Sequence, residues 1–167
     1  MVGAVPGFPE YDEGPFAFGF ARLDVEPGER GTVIMSPTCD NIIFSRIKRI
    51  FLPDSIAGAL HVEYILVSHW RDFARELVSD LPGRDFAIST NNRVPQYVCH
   101  ANDVLVATLK NTSAKPVRVM MGVEGVAYHA SRESELALGG HAALHKRRME
   151  LLDYITADLP KEAYRRK

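Results

Sequence analysis

Over much of the chain the apolar positions recur every second residue, the period of a strand with one buried face. Phe16, Phe18 and Phe20 fall on one side of an extended backbone and Ala17, Gly19 and Ala21 on the other. Leu23 and Val25 then run into a turn at Glu26-Pro27-Gly28-Glu29. Gly31 to Ser36 reads as a strand with Val33 and Met35 on one side, ended by Pro37. Between Asn41 and Leu52 the alternation places Ile47 inward and Arg46 and Lys48 together on a solvent face. Leu60 to Trp70 reads as a central strand, with Leu60, Val62, Tyr64 and Leu66 on one face and His61, Glu63, Ile65, Val67 and His69 on the other.

Residues 71 to 83 depart from this period. Phe73 and Leu77 stand four apart among Arg71, Asp72, Arg75 and Glu76, which predicts a short helix or ordered loop closed by Pro82-Gly83. Short strands are expected at Asp85 to Ser89 and near Tyr97 to Cys99. Asp103 to Asn111 and Val117 to Tyr128 are rich in β-branched and aliphatic residues, and the turn-forming link Thr112 to Pro116 joins them, so the pair predicts a β-hairpin. The period changes after Gly139-Gly140. From His141 to about Ala157 the apolar residues Leu144, Leu151, Leu152 and Ile155, with the aliphatic stem of Arg148, fall at helical spacing, predicting an amphipathic helix that Leu159-Pro160 ends.

Upstream of Phe16, Pro6, Pro9 and Pro15 with Gly3, Gly7 and Gly14 forbid a regular helix and give an extended arm carrying Phe8 and Tyr11. The division is therefore an N-terminal arm over 1–15, a β domain over 16–130, and a linker, helix and basic tail over 131–167. About eight short strands with no crossover helices favour an antiparallel sandwich, barrel or jelly roll over a parallel sheet and predict an all-β chain.

At 167 residues the chain can bury roughly 70% of the surface its unfolded form exposes, so no disulfide scaffold is needed. Cys39 and Cys99 read as small buried hydrophobes. Twenty Lys and Arg against 21 Asp and Glu give a net charge of −1, which excludes a chain-wide footprint for nucleic acid. Only the segment from His141, ending in Arg165-Arg166-Lys167, is basic enough to offer such a contact. Met1 to Gly7 lacks the basic and apolar regions of a signal peptide, and no apolar run approaches 18 residues, so the expectation is a chain made in the cytosol without a membrane-spanning segment. Asn111-Thr112-Ser113 fits a glycosylation sequon.

Candidate chemistry is sparse. His61 and Glu63 share one face of a predicted strand, roughly 6–7 Å apart along it, and could ligate a metal if His100 or His129 came alongside. His69 is too far along the same strand, roughly 26 Å from His61, to join them. A cupin would carry His-x-His with a following Glu where this chain has His61-x-Glu63. Cys99 and His100 are adjacent, which on a strand sends them to opposite faces and prevents a thiolate–imidazole pair. No nucleophile elbow, phosphate loop or dinucleotide fingerprint occurs in the sequence. The expectation is a non-enzymatic protein with no catalytic, cofactor-binding or metal residues and no cofactor. A β-sandwich module that binds a carbohydrate or protein ligand through Tyr64, Trp70 and Tyr97 is the alternative, and a cupin-like metalloenzyme centred on His61 and Glu63 is a second.

Two segments carry a resemblance. Ile50-Phe51-Leu52-Pro53-Asp54-Ser55-Ile56-Ala57 leading into Val62 to Ser68 resembles a strand–turn–strand unit in structural proteins of bacterial viruses. Val104 to Ser113 followed by Val119 to Val126 resembles the closing hairpin of the same small β-sandwich proteins. The likeness covers residues 30–128. It implies a single jelly roll of about eight strands serving as a capsid, shell or decoration subunit of a virion. Its partners would be copies of itself and other structural subunits, with the arm and the C-terminal helix docking on neighbours.

Overall fold

The computed structural model describes residues 2–37, 42–69, 73–90 and 97–160. Among them run nine strands: β1 (Gly3–Val5), β2 (Phe8–Val25), β3 (Arg30–Met35), β4 (Ile42–Phe51), β5 (Leu60–His69), β6 (Phe73–Pro82), β7 (Tyr97–His100), β8 (Val104–Asn111) and β9 (Val117–Ala130). Three helices accompany them: α1 (Asp54–Ala57), α2 (Arg132–Leu136) and α3 (His141–Ile155). The strands form two antiparallel sheets, one in the order β1-β2-β9-β4-β7 and the other β3-β8-β5-β6. The chain is thus an all-β antiparallel sandwich with a helix at its C-terminal side.

Between the sheets lies the main core, with Val33, Met35, Val62, Ile65, Val67, Leu105, Ala107 and Leu109 from the second sheet and Ile47, Ile50, Val119, Met121 and Val123 from the first. Ile47 points inward as its alternation predicts. Gly125 lies opposite Ile47, and a Cβ there would collide with the Arg46 carbonyl oxygen, so only glycine lets β9 pass β4 this closely.

A second core lies on the other face of the first sheet. Leu151, Leu152 and Ile155 of α3 pack with Val5, Phe8, Tyr11, Ile43, Phe44, Val98 and Tyr128. Each of the three helix side chains is nearly or fully buried, which stabilises the docked helix by about 1.5–3 kcal/mol apiece.

Several predicted elements change character. The paired runs at 103–128 are both strands, yet β8 belongs to the second sheet and β9 to the first, so they form no hairpin; the link Thr112 to Pro116 crosses between sheets. Residues 73–82 form β6 and not a helix, because a four-residue spacing is two strand repeats as well as one helical turn. Asp85 lies in a 3-10 turn over Gly83–Phe86, and the expected strand there reduces to a single bridge between Leu52 and Ala87. In β5 a bulge at Glu63 shifts the phase. Val62 faces the core before it, Ile65 and Val67 after it, and Tyr64 and Leu66 turn outward. Residues 3–15, expected as an arm, are extended and hydrogen-bonded into the first sheet as β1 and the start of β2.

Candidate functional site

The sequence-predicted residues are not brought together. His61 Nε2 pairs with Asp80 Oδ1 at 2.6 Å, across the β5–β6 ladder. Glu63, displaced by the bulge, accepts from Arg30 Nε on β3 at 2.7 and 2.8 Å. His100 packs edge-on against Phe44, with ring centroids 5.2 Å apart. His129, like His100, lies in the first sheet, on β9, paired in register with Asp12 and Ile42. Among the described residues no three His, Cys, Asp or Glu side chains cluster closely enough to hold a metal ion. Cys99 is buried, whereas Cys39 lies outside the described residues.

Of the three candidate contact aromatics, Tyr97 is 2% exposed and belongs to the core, with the Arg75 guanidinium 5.9 Å above its ring. Tyr64 alone among the described ones reaches solvent, at 36% exposure; Trp70 lies outside the described residues, as does the basic tail from residue 161. The Asn111 side chain is 0% exposed. Its Nδ2 donates to the Val25 and Lys115 carbonyls at 2.9 and 2.7 Å, and its Oδ1 accepts from Ser113 N. The sequon asparagine is thus a buried clamp that ties the β8–β9 crossing to β2.

One polar pair was not foreseen. Asp103, fully buried in the β7–β8 turn, accepts from the His100 amide at 2.7 Å with Oδ2 and meets His69 Nδ1 with Oδ1 at 2.8 Å. A carboxylate there fixes which nitrogen of His69 holds the proton and joins the end of β5 to the turn. The residues are 34 apart in sequence, and no spacing rule links them.

The contact that decides where α3 sits is centred on Arg147. Its Nε and Nη2 bind both oxygens of Glu10 at 2.9 and 3.1 Å, Nη2 also donates to the Gly7 carbonyl at 2.8 Å, and the guanidinium lies 4.3 Å over the Phe8 ring. Arg147 holds the Glu10 carboxyl below its ordinary value, against a smaller opposing effect of burial. At the other end of the helix Arg46 leaves the solvent face predicted for it. It donates to the Ile155 carbonyl and binds both oxygens of Asp158 at 2.9 and 2.6 Å, while Lys48 remains exposed. Arg148 makes a two-pronged pair with Glu135 of α2 at 2.8 and 2.7 Å. The N-terminal segment and α3, expected to reach other copies, therefore bind each other and their own sheet.

No protein-family model and no curated protein matches the chain. Function has to be read from the surface.

The two outer faces of the sandwich differ. That of the first sheet is covered by α3. On the second sheet Ile34, Val106, Leu66 and Glu76 stand in one row across β3-β8-β5-β6, and Thr32, Thr108, Tyr64 and Ser79 form the next. Ile34 is 59% exposed and Val106 and Leu66 are half-buried. An aliphatic row on a solvent-facing sheet suits contact with another protein surface better than chemistry. No helix among the described residues is long and apolar enough to cross a membrane.

Proposed function

We propose that the protein is a non-enzymatic, self-assembling structural subunit built on a single jelly roll, serving as a virion capsid, shell or decoration component. The observation that carries this reading is the strand pairing. β2 lies beside β9, β3 beside β8, β4 beside β7 in the first sheet, and β5 beside β6, so that eight strands pair as one long hairpin rolled into two sheets, with β1 added at an edge. That order supports reading the sandwich as a jelly roll, an architecture used by viral coats, lectins and cupins. Within that set, the dispersal of His61 and Glu63 to separate partners weighs against a cupin-like metal centre, and the burial of Tyr97 weighs against an aromatic ligand platform. The exposed aliphatic row on the second sheet favours assembly through protein surfaces. The partners are copies of the chain and other structural subunits, in a virion or a cytoplasmic assembly.

Light scattering on a size-exclusion column, with electron microscopy of the leading peak, tests the proposal. Closed particles, rings or other large symmetric assemblies are expected. A chain that stays monomeric or dimeric at every concentration would overturn the shell reading.

A further inference from the structure

The four sheet edges are not equally protected. Among the described residues β1 has three residues at one edge of the first sheet and β7 four at the other, too few to template a partner. β6, an edge of the second sheet, is ten residues long but carries Arg75, Glu76 and Asp80, the last at φ 55°, and ends in Pro82; a bulge interrupts its register beside Leu66. Charge, proline and bulge are the usual devices that stop strands from joining edge to edge. β3 has none of them along Gly31–Met35. Its ladder to β8 is unbroken from Arg30 to Met35, its one charge sits at the first position and is taken by Glu63, and Ile34 stands 59% exposed. Val33 and Met35 are fully buried and anchor the strand, and among the described residues no strand pairs with the row of N–H and C=O groups that faces away from β8.

From this asymmetry we infer that β3 is the surface through which two copies join, by antiparallel pairing of β3 with β3 of a second copy about a two-fold axis. The inference rests on the self-assembly reading and names its interface. Self-pairing must keep Arg30, Thr32 and Ile34 on one face, so the registers allowed are those that place outward residues opposite outward residues. The register centred on Val33 sets Thr32 opposite Ile34 of the second copy, leaves Arg30 with Glu63, and brings the row of Ile34, Val106 and Leu66 in one molecule into line with the row of Thr32, Thr108 and Tyr64 in the next. The two four-stranded sheets become one of eight strands. A strand is complementary to itself in this geometry, which makes a second copy the natural occupant of an unguarded edge.

Two variants of the full chain test this beside the unsubstituted protein. Ile34→Lys places a cation at the centre of the contact and is expected to raise the concentration at which the assembly dissociates by about tenfold or more. Thr32→Cys with Ile34→Cys, oxidised, is expected to give a covalent dimer on a denaturing gel, since directly opposed Cβ atoms lie about 4.5–5.5 Å apart. If the unsubstituted chain assembles while Ile34→Lys assembles equally well and the cysteine pair gives no more cross-linking than the native cysteines do, the β3 contact is refuted and self-assembly stands. A dimer that goes no further but cross-links supports the β3 contact and refutes the shell. A monomer without cross-links overturns both.

Discussion

Replacing Leu151 by Ala separates a helix that belongs to the fold from one that is merely appended to it. Leu151 is 0% exposed in the cluster that also holds Phe44, Val98 and Tyr128 of the first sheet. Truncating a leucine so enclosed costs about 2–5 kcal/mol, from lost transfer free energy and the cavity left behind. Taking about 3 kcal/mol, and about 2–4 °C per kcal/mol for a domain of this size, the melting temperature is expected to fall by about 6–12 °C. Leu136→Ala is the control: the residue lies in α2 at 70% exposure, and its truncation is expected to stay within about 0.5 kcal/mol. Urea titrations followed by circular dichroism should show a lower midpoint for Leu151→Ala at unchanged slope. If Leu151→Ala proves no more costly than Leu136→Ala, α3 is not a layer of the cooperative structure, and the account of the second core is wrong.

Two titrations extend the same reasoning. Burial pushes the Tyr128 phenol up to about 12 from 10.0, with Glu13 adding to the effect, so the stability gained by keeping it neutral is complete below pH 10 and is lost as pH rises towards 12. The loss amounts to about 2–3 kcal/mol, and Tyr128→Phe should flatten the alkaline limb of stability against pH; coincident limbs for the two proteins would contradict it. Glu10 is depressed below 4.5 by Arg147, so its contribution is present above that pH and disappears as pH falls through the lower native value. Glu10→Gln should remove that part of the acid-side loss, read from denaturation midpoints on the acid side, and an unaltered acid profile would mean that the pair does not hold α3 in place.

How far the sequence could be read depended on whether a pattern had one physical meaning. Alternation around Ile47 and the helical spacing of Leu151, Leu152 and Ile155 had one, and the structure places them accordingly. Phe73 and Leu77, four apart, satisfied a helix and a strand equally, and pairing with β5 made the choice. The turn residues from Thr112 to Pro116 specified a change of direction, but not whether the returning strand stays in the same sheet. That was set by the core, and by Asn111 reaching back to Val25. A signal for the second core was present and unread. Ile42-Ile43-Phe44 and Val126-Ala127-Tyr128 are continuous apolar runs, as expected of strands covered on both faces, and they mark the place where α3 docks. The Asp103–His69 pair had no signal at all, since its partners meet only when β5 and the β7–β8 turn are assembled.

The rolled pairing also sets an order of events at the ribosome. β2 is made near the start of the chain, yet Tyr11 pairs with Ala130 and Val25 with Val117, so the longest ladder of the first sheet waits for the last strand. At synthesis rates of about 5–20 residues per second the delay is roughly 5–24 s, in which an eighteen-residue strand has only the three residues of β1 to pair with. Pairing across so much intervening chain also folds slowly once synthesis is complete. Nascent copies on neighbouring ribosomes would expose matching strands at the same moment, so yield should depend on how densely one message is translated.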